Sequence, residues 1–274
     1  MKSRYTLSRN PAWLGALILA LSSLFLLTGA TKKMKPAELL ERHLASIGTP
    51  EARAAIYNRV ARGTATVLPG WDKEEPTVGD AVIVSEAKLL RLSLHSAASD
   101  YQGEDLAFDG KRVSVGVKVG VAGLASIRSE LLKEGLMGGT LTTAWALLDV
   151  AGRRPGLQYN GLKKRDGKEY HEMRYLPRRG AWEGELRVQM YFDPQTFHHV
   201  LSEYRYVGPK SGKGTARRDT FTEEFADFAV VDGLMLPRCY KLRYGSGRSA
   251  FEWSVTFAEI RHNQQLDAKT FTLK

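Results

Sequence analysis

The fold of this chain is decided by ELRVQMYFDPQTFHHVLSEYRYV, residues 185–207. Apolar and polar residues alternate on both sides of a short turn, which is the pattern of two half-buried β-strands. Asp193-Pro194 suits the turn, because Pro fixes φ and Asp can hydrogen-bond the backbone two residues later. The stretch therefore predicts a hairpin with one buried face, made by Leu186, Val188, Met190 and Phe192 in the first strand and by Val200, Ser202, Tyr204 and Tyr206 in the second.

The same alternation runs through most of the chain after Thr64, broken by turn signals such as Asp109-Gly110 and Asp232-Gly233. Its apolar rows occupy one side of each predicted strand, as in an antiparallel sheet with one covered face. We count about ten strands and find no composition break that would mark a second domain. The predicted fold class is mainly β (α+β), a single curved antiparallel sheet forming an unclosed half-barrel with amphipathic helices over its concave face.

Two short helices are predicted ahead of the strands. Pro36 opens the first, which carries an apolar stripe and closes at Gly48. Thr49 caps the second, which is expected to continue through Val60. Both helices are amphipathic, so both need an apolar surface to cover.

A further helical segment interrupts the strands at residues 122–152. One helix is predicted to end at Gly135 and a second to carry Leu141, Trp145 and Leu148 on one side. The glycine-rich joint at Gly138 would let the segment move, although a rigid pair of packing helices accounts for the same apolar stripes.

Residues 1–30 are predicted to be a removable secretory signal peptide. A basic start is followed by the uncharged run Leu14–Leu27 and by small residues that favour cleavage near Ala30. An uncleaved N-terminal anchor is the alternative. Cleavage would leave residues 31–274 as one exported domain, and the loss of three basic and no acidic residues would lower the formal net charge from +10 to +7.

The positive balance favours anionic partners, which for an exported protein means lipid headgroups or the cell envelope before nucleic acid. The basic residues expected to meet a membrane or a partner lie in a hairpin tip and are Lys210, Lys213, Arg217 and Arg218. Charges scattered over the outer faces of strands are the plainer interpretation.

Catalytic and metal-binding patterns are missing from the sequence. No Gly-x-Ser-x-Gly occurs, and Lys213 lacks the Ser or Thr that must follow it in a phosphate-binding loop. His198 and His199 would face opposite sides of a strand, so they cannot chelate one ion. The single cysteine, Cys239, excludes an internal disulfide and is expected to be a small buried strand residue. We therefore expect no cofactor, no metal and no catalytic residue, and keep an envelope hydrolase only as a third interpretation.

The chain resembles the LolA-type outer-membrane lipoprotein-sorting proteins, which share a fold with LolB- and LppX-like carriers. The likeness rests on the Asp193–Thr196 turn (DPQT), on VDGLMLP at residues 231–237 and on IRHNQQLDAKTF at residues 260–271. The insertion around Trp145 and the basic tip depart from that pattern.

The resemblance implies a periplasmic, non-catalytic carrier that shelters the acyl chains of lipoproteins or lipids for transfer toward the outer membrane. It also implies an inner-membrane transporter and an outer-membrane acceptor as partners, and no nucleic acid. The alternative is an envelope docking module with a packed interior and a basic rim.

Two groups of side chains form the candidate site of such a carrier. The predicted wall of the apolar cavity consists of Leu90, Leu92, Val115, Val117, Met190, Phe192, Phe251, Trp253, Val255 and Phe257. The predicted lid over it consists of Leu131, Leu132, Leu141, Trp145 and Leu148.

Overall fold

The strands predicted from the alternation are present. A computed structural model of the chain describes residues 34–68, 75–119, 129–178, 185–207, 218–245 and 250–273, with the backbone alone at 117–119 and 218–219. The strands in these residues are β1 (Asn58–Leu68), β2 (Thr77–Glu86), β3 (Leu89–Ser96), β4 (Gly103–Phe108), β5 (Val113–Val119), β6 (Gly156–Arg165), β7 (Lys168–Leu176), β8 (Glu185–Phe192), β9 (His199–Val207), β10 (Arg218–Val231), β11 (Leu234–Tyr244) and β12 (Phe251–His262). The helices are α1 (Pro36–Ile47), α2 (Pro50–Ala54), α3 (Ser129–Lys133) and α4 (Val150–Arg153).

These strands form one antiparallel sheet in the order β5-β4-β3-β2-β1-β12-β11-β10-β9-β8-β7-β6. The sheet does not close, because its edge strands β5 and β6 do not pair with each other. The predicted fold class, an open antiparallel sheet with few helices, is confirmed. β5 and β6 are consecutive in the chain yet lie at opposite edges, so the segment between them must cross the sheet.

Met34–Lys274 form one compact unit. The predicted signal segment, residues 1–30, lies outside the described residues, and its cleavage stays a prediction. In the described part of the chain, no helix is both long and apolar enough to cross a membrane.

The hairpin of β8 and β9 has the predicted buried face, with one correction. The inner row of β8 is 0–8% exposed, and the Asp193 carboxylate closes the turn by accepting from the Gln195 and Thr196 amides. The strand register shifts beside Phe192, which pairs with His199 while the preceding residue pairs with Leu201. Val200 is the extra residue of this bulge, and His199 takes the inner position that alternation assigned to Val200.

The second predicted helix is wrong beyond its first turns. Thr49 does cap α2, accepting from the Ala52 amide at 3.2 Å, but α2 ends at Ala54 and β1 begins at Asn58. Val60 therefore lies in a strand. The reason is that β1 pairs on both sides, with β2 and with β12, and this ladder outweighs a weak helical pattern.

The main core lies between the inner face of the sheet, α1 and the segment that follows β5. A smaller core on the outer face joins Val60 and Val84 to Phe271, so the C-terminal residues cover β1 and β2 from outside. Cys239 lies on β11 and is only half-buried, contrary to expectation, because its neighbour Tyr240 occupies the inner position.

Replacing Met190 tests the inner face of the opening hairpin. Met190 is fully buried, so we expect Met190→Ala to lower the free energy of unfolding by about 2–5 kcal/mol. Its neighbour Gln189 lies on the outer face, and Gln189→Ala should change the value by less than about 0.5 kcal/mol. Chemical denaturation of both variants measures this, and equal losses would contradict the assigned faces.

Candidate functional site: the covered inner face

The segment that crosses the inner face of the sheet is described over residues 129–153, and we call it the lid. It contains α3, 3-10 turns at Gly139–Leu141 and Ala146–Asp149, and α4. The helix predicted through Leu141, Trp145 and Leu148 is therefore wrong. Positive φ at Gly138 and Gly139 and extended backbone at Trp145 break it into single turns.

The structure packs most of the predicted wall against most of the predicted lid. Eight wall residues and four lid residues are at most 5% exposed and belong to one apolar cluster: Leu90, Leu92, Met190, Phe192, Phe251, Trp253, Val255, Phe257, Leu131, Leu132, Leu141 and Trp145. In this structure the wall and the lid share one buried apolar cluster.

Three predicted site residues do not join this cluster as described. Leu148 is 38% exposed and faces away from the wall, since the 3-10 turn places Leu147 inward instead. Val115 is 39% exposed because it lies on the edge strand β5, where the cluster ends. Val117 pairs with Glu104 through its backbone, and its side chain lies outside the described residues.

An aromatic cluster joins the lid, the wall and α1. The Trp145 ring stacks on His199 with centroids 4.9 Å apart and meets His43 edge-on at 5.1 Å. Phe192 of the wall contacts both imidazoles, at 4.8 Å from His43 and 5.5 Å from His199. These contacts bring the three elements together at Trp145.

The two histidines of this cluster are held neutral. His43 donates from Nδ1 to the Phe197 carbonyl at 2.8 Å, and burial lowers the pKa of His43 to about 4. Burial also lowers the pKa of His199, whose Nε2 contacts the Ser202 hydroxyl at 2.8 Å. Neither imidazole therefore carries charge near neutral pH.

The lid interface also holds buried polar atoms without a protein partner. Among the described residues, such atoms occur on the lid, on α1 and on the covered face of the sheet: His43 Nε2, Thr140 Oγ1, Thr143 Oγ1, Trp145 Nε1, Arg153 Nε, His199 Nδ1 and Trp253 Nε1. An unpaired buried polar group costs about 1–3 kcal/mol. Closure of the lid is therefore less favourable than its apolar contacts alone suggest.

Arg59 fixes the middle of the lid from β1. Its guanidinium is 4% exposed, and Nη1 donates to the Thr140 carbonyl of the lid. Nε donates to His262 Nε2 at 2.9 Å, so that His262 carries its proton on Nδ1, which donates to Asp232 at 2.8 Å. Burial without a contacting carboxylate lowers the pKa of Arg59 to about 9. Thr140 is thus held by a cation.

Glu223 of β10 fixes the lid a few residues earlier. The carboxyl group is fully buried and lies 2.7 Å from the Gly138 amide of the lid and 2.6 Å from the Tyr240 hydroxyl. The Tyr204 hydroxyl lies 2.7 Å from its other oxygen and also bonds the Leu136 carbonyl of the lid. Burial raises the pKa of Glu223 to about 7, against the lowering effect of its donors.

Gly138 and Gly139 allow these contacts. Gly138 has φ of 77°, and a Cβ at Gly139 would stand 2.7 Å from the Phe225 ring. A side chain at either position would therefore strain the backbone or push the lid away from the sheet.

Sequence reasoning missed His43, Arg59, His199 and Glu223. A signal existed for Glu223, a carboxylate at an inner position between Phe221 and Phe225, and for His43, which interrupts the apolar stripe of α1. No such signal marked Arg59, because the residues around it were predicted to form the second helix.

Cavities lined by described residues lie on other surfaces. One of about 1110 Å³ and one of about 350 Å³ flank Arg165 on the outer face, where the β6–β7 hairpin leans over β9 and β10. A groove of about 540 Å³ runs along the exposed side of α1. In the described part of the chain, no cluster of three or more His, Cys, Asp or Glu side chains could hold a metal ion.

The predicted basic tip cannot be placed on this framework. Lys210, Lys213 and Arg217 lie outside the described residues, and Arg218 is described only by its backbone at the start of β10. Its role at a membrane or partner surface stays a prediction.

Comparison with solved structures places the fold among known proteins. The chain is similar to a LolA superfamily protein from Nitrosomonas europaea, with a TM-score of 0.52 and 11% identity over 88% of this chain and 98% of that one. It is similar to a DUF1329 family protein from Desulfovibrio piger, with a TM-score of 0.50 and 13% identity over 87% of this chain and 98% of that one. No family model and no curated protein matches the sequence. The fold of the LolA superfamily, which the sequence resembled, is confirmed.

Replacing Arg59 tests its hold on the lid. We expect Arg59→Met to speed hydrogen exchange at Leu141, Thr142 and Ala146 roughly ten- to a hundredfold, since hydrogen bonds to charged groups contribute ~1.5–3 kcal/mol. Global stability should change less, because removing a buried charge offsets part of the loss.

Arg62→Met is the matched control, since Arg62 is an exposed residue of the same strand. Exchange measured by mass spectrometry at peptide level checks the effect. Unchanged exchange of the lid in Arg59→Met would show that its apolar contacts alone keep it closed.

Proposed function

We propose that this protein is a non-catalytic carrier that shelters acyl chains between the wall and the lid. The observation that carries the proposal is the lid itself, an apolar cover tied to an open sheet. It is secured at Arg59 and Glu223 and leaves buried polar atoms unpaired. A segment that served only to fill a core would be expected to satisfy such atoms.

The chemistry of the covered surface suits an acyl chain. The inner face around Phe192, Trp253 and Phe257 is apolar and large, and the lid supplies a second apolar surface. Transfer of a chain from water contributes about 0.8 kcal/mol per methylene, so binding needs no catalytic group. In the closed structure the lid occupies the place of the chain, and the cargo would replace contacts of Trp145.

The cellular role follows from the resemblance and remains part of the proposal. We infer export to the periplasm after cleavage near Ala30, with lipoprotein acyl chains or a lipid as cargo. Delivery toward the outer membrane would need a donor transporter in the inner membrane and an acceptor beyond it. The basic tip at Lys210–Arg218 would meet an anionic membrane surface or one of these partners.

A second candidate function is a docking module of the envelope with a permanently packed interior. It is favoured by the direct contact of wall and lid, in which Phe192 and Trp253 are fully buried. The two functions differ in whether the lid ever leaves the wall.

A brominated fatty acid distinguishes the two functions, because bromine quenches tryptophan only at short range. We expect it to quench the intrinsic fluorescence of the protein and to displace a fluorescent fatty acid. Trp145 and Trp253 lie on the two surfaces that would contact the chain. The double variant Trp145→Phe/Trp253→Phe should therefore lose most of the bromine-specific quenching while it still binds the probe.

Two results would contradict the carrier. One is an empty protein in native mass spectrometry that also fails to bind the fluorescent fatty acid, which favours the docking module. The other is full quenching in the double variant, which would place the chain elsewhere. Trp145→Phe alone serves as the matched control for the fold, since it keeps an aromatic ring against His199.

A further inference from the structure

When Glu223 is ionised, the hydrogen-bonding groups around it have one proton too few to give every acceptor a donor. The Tyr204 hydroxyl has a single proton and two acceptors, the Leu136 carbonyl and a carboxyl oxygen of Glu223. The Ser202 hydroxyl also interacts with Tyr204, but it does so as a donor and does not supply the missing proton to either acceptor. A carbonyl oxygen and an ionised carboxylate can both accept a hydrogen bond, and neither can donate one. If Tyr204 donates to an ionised Glu223, the Leu136 carbonyl is left buried without its donor.

A proton on Glu223 completes the network. The acid then donates to the Tyr204 oxygen, and Tyr204 donates to the Leu136 carbonyl. The second carboxyl oxygen still accepts from the Gly138 amide at 2.7 Å and from the Tyr240 hydroxyl at 2.6 Å. Every polar atom of the set is paired only in this neutral form.

We propose that the acid form of Glu223 holds the lid closed over the inner face and that loss of its proton releases residues 136–138. The inference rests on the carrier function for its purpose, because release would open the proposed acyl site. The proton and the lid movement can be measured without any ligand.

The surroundings of Glu223 support a neutral group. It is contacted by Tyr204 from β9, by Tyr240 from β11 and by the uncharged stretch 136–138 of the lid. Burial is the largest effect on its pKa, and no Lys, Arg or carboxylate of the described residues contributes. The pKa values of both tyrosines are raised well above their usual range, so neither ionises before Glu223.

Other titratable groups of the lid region have to be separated from Glu223. The two buried imidazoles His43 and His199 have lowered pKa values, and so does His262 beside Arg59. These groups would gain protons only as the pH falls, which disfavours the closed lid at low pH. Glu223 acts in the opposite direction.

The sign for Glu223 follows from linkage. The pKa of Glu223 is about 7 with the lid closed and would return toward the ordinary value of 4.5 once the lid lifts and water enters. The closed lid therefore binds the proton more tightly. Its advantage is complete below the open-state pKa and is lost as the pH rises through the closed-state pKa. Taken alone, Glu223 should lower the closed-to-open ratio roughly thirtyfold between about pH 5.5 and about pH 8, while the histidines shift the ratio the other way in every variant that keeps them.

The experiment follows the lid directly by pulsed electron resonance. Cys239 is the only cysteine, so Cys239→Ser provides a clean background. Spin labels at Leu148→Cys on the lid and Val230→Cys on β10 use side chains that are 38% and 66% exposed. Distances are measured on the full chain without ligand, at about pH 5.5 and about pH 8, on either side of the pKa of Glu223.

Glu223→Gln is the matched variant. Its amide can donate to Tyr204 and accept from Gly138 and Tyr240, which copies the acid form at every pH. The histidine effect is common to both proteins, so their difference isolates Glu223. We expect raising the pH from about 5.5 to about 8 to favour the open distance population roughly thirtyfold more in the parent protein than in Glu223→Gln. Tyr240→Phe removes a donor that favours the ionised form, so its response should remain but move to higher pH.

An identical pH response in Glu223→Gln and the parent protein would overturn the proposal. Near-ultraviolet circular dichroism confirms that each variant is folded. The carrier function can fail separately. If the lid responds to pH but the protein never binds a fatty acid, the role of Glu223 stands and the carrier function is wrong. If the protein binds a fatty acid but the pH response does not depend on Glu223, the carrier function stands and the role of Glu223 is wrong.

Discussion

The whole structure depends on the need to cover the inner face of an open sheet. Twelve antiparallel strands turn rows of large apolar side chains to one side, and an unclosed sheet cannot bury them against itself. Exposed apolar area of that size is unfavourable by about 25 cal/mol per Å². α1 and the lid remove it from water, and the positions of the buried wall and lid residues follow from how they do so.

The cover is secured by polar contacts at a few positions. Arg59 and Glu223 each place a charged or ionisable group among apolar side chains, where it is costly unless its partners are complete. Both hold backbone atoms of the lid and also keep partners on the sheet, His262 for Arg59 and the two tyrosines for Glu223. The aromatic cluster at Trp145 adds area and shape but leaves nitrogen atoms of the ring systems unpaired.

Much of this arrangement could be predicted from the sequence, because alternation alone assigns a face to each strand residue. Met190, Phe192, Trp253 and Leu92 were assigned correctly on that basis. The errors have local causes. A bulge at Val200 places His199, not Val200, on the inner face. Val60 lies in a strand rather than in the predicted helix, because β1 pairs with strands on both sides. The lid was the least predictable part, since its turns are set by Gly138, Gly139 and by contacts with residues distant in sequence. The pairing of Glu223 with Gly138 joins residues 85 positions apart, which no local pattern reports.

The strand order has one more consequence. The lid lies in the chain between β5 and β6, the two unpaired edges of the sheet. The chain continues on both sides of residues 129–153, so this segment cannot detach from the domain as a free terminus could. Any movement of the lid is therefore limited by two attachments rather than one.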